Sequence, residues 1–169
     1  MRTLVLGGAR SGKSRFAQQI AEGQSKRRVY IATAEPFDDE MRERIAKHQA
    51  ARGDGWRTVE SPIDLIGAIG GADPEEIILI DCLTLWLSNL FGQSDDVDAQ
   101  VTRLVEHLDR TERPVVMVSN EVGLGLVPET KLGRHFRDSQ GRINQRMAGV
   151  CDRVVFVAAG LPVWLKGKA

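Results

Sequence analysis

Eight residues near the start of the chain, Gly7-Gly8-Ala9-Arg10-Ser11-Gly12-Lys13-Ser14, restrict the fold more than any other segment. They match the spacing G-x-x-x-x-G-K-[ST], with the apolar run Leu4-Val5-Leu6 before them and a helical pattern, Lys13–Glu22, after. In this setting the glycines let the backbone curl round a phosphate with its N–H groups pointing inward. The start of the helix adds its partial positive charge. Lys13 can reach the β- and γ-phosphates, the Ser14 hydroxyl can ligate Mg²⁺, and Arg10 adds charge where phosphate oxygens gather. A glycine-rich turn can match such a spacing by chance, but here both flanks fit. The motif points to nucleotide binding and not to one reaction, because kinases, synthetases, motors and switches all use it.

Short apolar, β-rich runs alternate with helical patterns, the order expected of a parallel α/β sheet. The runs are Thr3–Leu6, Val29–Ala32, Ile77–Ile80, Val115–Val118 and Val154–Val157. Each is nearly all apolar, as strands covered by helices on both faces are. A further short run, Trp56–Val59, is placed at an edge. Helical patterns occupy Lys13–Glu22, Asp38–Ala51, Leu83–Leu90, Asp96–Arg110 and the stretch from Thr130 to Val150. Gly70-Gly71-Ala72-Asp73-Pro74 and Phe91–Asp96 read as loops. No repeat, low-complexity tract or linker divides the 169 residues. The expectation is one α/β domain of the P-loop NTPase type, a mostly parallel sheet with helices on both faces.

Composition narrows the function classes. Lys plus Arg number 23 and Asp plus Glu 23, so no overall positive field favours nucleic acid or a membrane surface. With 42% hydrophobic residues the chain can bury a sizeable core, and function should lie in a pocket. The two cysteines, Cys82 and Cys151, form no CxxC pair or Cys/His cluster, which argues against a disulfide framework or a zinc site. No stretch approaches membrane-spanning length, and the first apolar run is too short for a signal peptide. A cytoplasmic protein is expected.

A phosphate loop of this kind requires a second acid at the end of a neighbouring apolar strand, holding Mg²⁺ through water. Ile77-Ile78-Leu79-Ile80-Asp81 supplies one. Asp81 could instead cap the helical stretch Leu83–Leu90, but the end of a buried strand faces the ligand edge of such a sheet. The pattern after the second strand puts Arg44, His48 and Arg52 four apart on one helical face, with Lys47 beside them. Neighbouring cations keep an imidazole neutral and nucleophilic, and they attract phosphate. Spacing alone nevertheless favours an ordinary surface histidine on a solvated helix. His107 and His135 read as structural.

After Val115–Ser119 comes the loop Asn120-Glu121-Val122-Gly123-Leu124-Gly125-Leu126-Val127-Pro128-Glu129. It leaves the carboxyl end of a strand, where α/β proteins bind ligands. Its glycines either admit a bulky substrate or make a tight turn, with nothing to choose between the two. The segment from Arg134 to Arg146 is dense in polar groups, which suit a solvated face or subunit contact slightly better than a substrate site.

Together these segments resemble one family, the bifunctional adenosylcobinamide kinase/adenosylcobinamide-phosphate guanylyltransferases of cobalamin (vitamin B12) biosynthesis. The stretches that carry the resemblance are Gly7 to Arg15, Tyr30-Ile31-Ala32-Thr33-Ala34, Asp38-Asp39-Glu40-Met41 and Arg44-Ile45 with His48. Trp56-Arg57-Thr58 with Glu60, Ser119-Asn120-Glu121-Val122-Gly123, and Arg134-His135-Phe136-Arg137-Asp138 through Asn144-Gln145-Arg146 complete them. The resemblance extends to about Gly160. It implies that His48 attacks the α-phosphate of GTP and carries GMP covalently, the opposite of what spacing alone favours. It places guanine-nucleotide contacts on Gly7, Gly8, Ala9, Arg10, Ser11, Gly12, Lys13, Ser14, Thr33, Ala34, Glu35, Gln49, Ala50, Ala51, Arg52, Glu60 and Asp81.

The implied chemistry has two parts. The terminal phosphate of ATP or GTP passes to the aminopropanol hydroxyl of adenosylcobinamide, with Lys13 and Mg²⁺ (held by Ser14 and Asp81) neutralising charge. GMP then passes from His48 to adenosylcobinamide phosphate, one displacement divided into two. The resemblance further implies small-molecule substrates, no nucleic acid or membrane insertion, and a homo-oligomer, expected to be a trimer. Two rivals share the phosphate loop: a kinase of another small alcohol, with His48 an ordinary surface residue, and a nucleotide-dependent regulatory module without turnover.

Overall fold

The apolar runs become the strands of one sheet because no polar side chain interrupts them and both faces can be covered. A computed structural model describes residues 1–35, 43, 52–93 and 96–168. Its strands are β1 (Arg2–Gly7), β2 (Arg28–Ala32), β3 (Trp56–Glu60), β4 (Ile77–Asp81), β5 (Val115–Asn120), β6 (Arg153–Ala158) and β7 (Leu161–Lys166). Helices among the described residues are α1 (Lys13–Glu22), α2 (Leu65–Gly70), α3 (Leu83–Gln93), α4 (Val97–Arg110) and α5 (Lys131–Val150). The strand order is β3-β2-β4-β5-β1-β6-β7. Neighbours pair in parallel except β6 with β7, which are antiparallel.

The order of strands decides which face each helix covers. From β1 the chain moves past β5 and β4 to β2, and from β3 onward it moves the opposite way, to β4, β5 and β6. Crossovers between parallel strands are right-handed, so a reversal of direction puts the helices on opposite faces. Accordingly Ala17 and Ala21 of α1 pack with Val5, Leu79, Val116, Val118 and Val157 on one face. Leu65, Leu83, Trp86, Leu104, Ile143 and Met147, from α2 to α5, pack with Leu4, Ile31, Ile80 and Met117 on the other.

Local signals fix the helix ends. The side chains of Asp64, Asp96 and Thr130 accept hydrogen bonds from the N–H groups of Gly67, Ala99 and Gly133, as N-capping residues do. The parallel α/β expectation is therefore met, with Trp56–Glu60 at an edge as placed. One sequence expectation needs correction, and two elements carry no sequence expectation. Phe91–Asp96 is not wholly a loop, since α3 continues to Gln93 with Phe91 packed against the core. The short α2 follows the Asp64 cap in a stretch too small and glycine-rich to display a helical period. The run Leu161–Lys166 forms an edge strand, where Pro162 is tolerated.

Glu76 fastens the outer strand to the loop before β4. Its carboxylate accepts from Arg57 Nε (3.0 Å) and Nη2 (2.7 Å) and from Asp73 N–H (2.8 Å). These bonds, the Arg57 guanidinium first, hold the Glu76 carboxyl below the ordinary carboxylate range. A carboxyl depressed on folding stabilises at pH above its unfolded value, and that stability is lost as pH falls through its folded value. Glu76→Gln should therefore unfold more easily than the wild type at neutral pH, by about 1 kcal/mol because Arg57 is half exposed. In urea titrations the gap should close as the pH is lowered through and below the carboxylate range. On the face covered by α2 to α5, Trp86 is 2% exposed and donates through Nε1 to Ile63 O at 2.9 Å. Trp86→Ala should cost about 3–5 kcal/mol, read as a fall in denaturation midpoint.

Candidate functional site

At the carboxyl edge of the sheet β1 ends against its neighbours at Gly7. A Cβ there would lie 2.5 Å from Val157 O and 2.6 Å from Ser11 Oγ, so the turn admits only glycine. The loop then uses left-handed backbone at Arg10 (φ 55°) and Gly12 (φ 92°), where glycine is the cheap choice and Arg10 is strained. Ser11 N–H donates to Gly8 O (3.3 Å), and Gly160 N–H, in the β6–β7 turn, donates to Ser11 O (2.8 Å). Phe16 N–H donating to Gly12 O (3.0 Å) opens α1. No side chain caps α1 and no acid sits in its first turn, an arrangement that suits an anion. Lys13 is 8% exposed, and its Nζ donates across the loop to Gly8 O at 2.9 Å. Ser14 follows, half-buried, while Ala9 and Arg10 are exposed.

Asp81 closes β4, level with Ala32 of β2 and Val118 of β5. Its Oδ2 accepts from the Tyr30 hydroxyl at 3.0 Å. Burial, then the charge of Asp81, pushes the Tyr30 phenol far above its ordinary value, so it stays a proton donor. The alternative of Asp81 as helix cap is not realised: the residue before α3 is Cys82, whose carbonyl accepts from Trp86 N–H. Behind Asp81, Thr33 Oγ1 donates to Cys82 O (2.8 Å) and accepts from Cys82 N–H (2.7 Å). Thr33 is fully buried and fixes the β4–α3 turn, while Ala34 and Glu35 follow half-buried. Cys82 is itself an inert thiol, pushed up to about 11 by burial, with Asp81 adding and Lys13 opposing.

Sequence spacing placed Arg52 on a basic helical face. The structure corrects that: Arg52 lies in a bend ahead of β3, 9% exposed, with its guanidinium carbon 3.6 Å from the Tyr30 ring centroid. Such stacking holds a cation on an aromatic face. Tyr30 thus joins Asp81 and Arg52, a role the sequence marks only by one aromatic inside an aliphatic strand. Glu60 ends β3, exposed, and β2, β4 and β5 separate it from β1. At 4.8 Å per strand it stands about 19 Å from the phosphate loop along the edge. The expectations for Arg44, His48, Gln49, Ala50 and Ala51 lie outside the described residues.

The glycine loop starts beside Gly7. Asn120 is level with Gly7 in β5–β1 pairing, and Glu121 N–H donates to Gly7 O at 3.1 Å. Beneath it the polar helix is not simply a solvated face. Gln140 and Asn144 are buried, with Gln140 Nε2 and Ser119 Oγ both bonded to Asn144 Oδ1. Asn144 Nδ2 donates to Asn120 O (3.1 Å), and Asn120 N–H donates to Thr84 Oγ1 (2.8 Å). This network fixes the end of β5. Arg134, by contrast, is exposed and donates to the carbonyls of Pro128 and Glu129. His135 stands against the Phe91 ring and has no place in the phosphate site.

Solved structures of similar shape include the RadB recombinase (TM-score 0.53, 16% identity, 92% of this chain and 73% of that one). A type III secretion ATPase of pathogenic bacteria gives TM-score 0.57 at 12% identity, over 96% of this chain and 56% of that one. At such identities the likeness shows a P-loop NTPase fold and no more. Closer relatives are the bifunctional adenosylcobalamin biosynthesis protein CobP of Pseudomonas aeruginosa and CobU of Escherichia coli. The first is 45% identical over 99% of both chains, and the second 41% identical over 98% of this chain and all of the relative. Residues 3–165 match the family model described as cobinamide kinase / cobinamide phosphate guanyltransferase. With its phosphate loop, its strand-end acid and full-length similarity of this degree, the chain belongs to the cobinamide kinase / cobinamide phosphate guanyltransferase family.

Proposed function

We propose that the chain phosphorylates adenosylcobinamide with ATP or GTP and then, through a GMP carried on His48, converts adenosylcobinamide phosphate to adenosylcobinamide-GDP. The observation that carries this reading is the cage at the end of β1. An uncapped α1 start and a buried Lys13 already crossing the loop suit a triphosphate. The family supplies the acceptor.

The donor set beside that cage fits Mg²⁺. A Ser14 hydroxyl and an Asp81 carboxylate are the hard oxygens this ion takes, and no cluster of three or more His, Cys, Asp or Glu among the described residues competes for it. Ser14 and, through water, Asp81 would hold the ion, which supplies neutralisation of charge on the phosphates.

In the kinase half, the acceptor hydroxyl oxygen bonds to the terminal phosphorus as the bridging P–O bond breaks, the nucleoside diphosphate leaves and the hydroxyl proton passes to solvent water. The loop N–H groups orient the phosphates, and Lys13 offsets the charge on the departing oxygen, in place of its present bond to Gly8 O. Tyr30 keeps Asp81 oriented by donating to one of its oxygens, and Arg52, held over the Tyr30 ring, would supply a further nucleotide contact in this reading. In the guanylyl half, a neutral imidazole nitrogen of His48 attacks the α-phosphorus and pyrophosphate leaves. The phosphate of the corrinoid then attacks the same phosphorus, the P–N bond breaks and His48 is restored. Thr33, Ala34, Glu35 and Glu60 along the edge, with Gln49, Ala50 and Ala51, complete the nucleotide contacts in this reading, and the working form is a homo-oligomer.

Wild-type protein and His48→Ala, each with Mg²⁺ and GTP labelled on the α- or γ-phosphate, should differ after denaturation. The wild type should retain acid-labile, alkali-stable label from α-labelled GTP only, and the variant none. A folded wild type that phosphorylates adenosylcobinamide yet retains no α-label would leave a kinase without the guanylyl step.

A further inference from the structure

We infer that the apolar loop after β5 is the platform on which the corrinoid macrocycle rests while its aminopropanol arm reaches the phosphate loop. The inference deepens the kinase reading above and rests on it. Leu124, Leu126 and Val127 are 81%, 96% and 65% exposed, and Leu132, in the first turn of α5, is 68% exposed. Single apolar residues on a surface need no explanation, but several this open in one short stretch mark a contact site.

The loop is held in place. Glu121 N–H donates to Gly7 O at 3.1 Å, and Glu121 Oε1 accepts from Gly123 N–H at 2.5 Å. At its far end Arg134 Nη1 donates to Pro128 O (3.0 Å) and Glu129 O (2.7 Å). Gly133 lies so close to this turn that a Cβ there would meet Pro128 Cβ at 2.9 Å. Pinned at both ends, the segment between presents its leucines outward.

Its position follows from the winding. Adjacent strands β1 and β5 send their helices to opposite faces, α1 to one and α5 to the other. Ligands of open α/β sheets enter the crevice that opens at such a reversal. The phosphate loop forms one wall of this crevice and the loop from Glu121 the other. Leu124 is three residues beyond Glu121, at most about 11 Å of extended chain. A corrinoid acceptor must put a hydroxyl, at the end of a flexible uncharged arm, beside the terminal phosphate. Its macrocycle is too bulky to follow, and carries methyl groups and uncharged amides at its rim. An apolar shelf an arm's length from the phosphate cage matches that division. A second copy of the chain is the other occupant such a surface could take.

The test compares the wild type with the double variant Leu124→Ser/Leu126→Ser, whose sites are exposed and whose melting temperature checks the fold. Three readouts are taken: equilibrium binding of adenosylcobinamide with KM for it, nucleotide Kd, and molar mass by light scattering. The expected result is corrinoid Kd and KM raised about tenfold or more, with kcat, nucleotide Kd and mass unchanged. Unaltered corrinoid binding overturns the inference. So does a changed mass, which would assign the leucines to a subunit interface. If the wild type binds adenosylcobinamide without phosphorylating it, the kinase reading fails alone and the binding comparison still decides the loop. If the wild type does not bind it, both fail.

Discussion

Where β1 ends, any side chain on Gly7 would meet the Val157 carbonyl and the Ser11 hydroxyl at about half an ångström less than real Cβ atoms tolerate. The backbone can therefore turn off the strand at that point only with glycine, and the loop that follows folds back on itself, with Ser11 N–H on Gly8 O and Lys13 Nζ on the same carbonyl. β6 supplies one side of this constraint, and the Gly160 N–H from the β6–β7 turn anchors Ser11 on the same side. β5 supplies the other, through Glu121 N–H on Gly7 O. The phosphate cage thus depends on three adjacent strands reaching the same level, which the parallel register guarantees: Gly7 faces Asn120 on one side and Val157 on the other.

A second tier stands on β2 and β4, beyond β5. Parallel pairing makes Ala32 and Asp81 level, so the chain following β2 can reach over the end of β4. Thr33 uses that proximity to close both backbone groups of Cys82, and Tyr30, two residues before the strand's end, turns a proton donor to Asp81. Buried polar groups need partners in a low-dielectric setting. Here the partners are supplied by neighbouring strand ends, so the strand-end acid Asp81 is oriented by the same packing that builds the sheet. Arg52 over the Tyr30 ring ties the chain entering β3 to this tier.

Much of this was legible in the sequence because it rests on local chemistry. The phosphate loop carries its own glycines and lysine, the five apolar runs are continuous, and the capping residues Asp96 and Thr130 sit where the helical patterns begin. What was not legible depends on contacts between segments far apart in the chain. Arg52 is four residues from His48 and so looked like part of a charged helix face, yet its position is set by Tyr30 on another strand. Gln140 and Asn144 read as solvated because they are polar, and only the end of β5 makes them buried partners. The edge strand Leu161–Lys166 was hidden by Pro162 and by its place after the last recognised run. The loop from Glu121 left a substrate site and a tight turn equally open, and only strand pairing shows that it starts beside Gly7.

The central claim is that one cage, walled by the loops after β1 and β5 and served by Asp81, takes the triphosphate. A crystal structure with Mg²⁺ and a non-hydrolysable GTP analogue tests it most directly. The prediction is β- and γ-phosphates within residues 7–14, Lys13 Nζ moved from Gly8 O to a phosphate oxygen, and the ion between Ser14 and a water held by Asp81. Phosphates bound elsewhere, with Lys13 still on Gly8 O, would contradict the account.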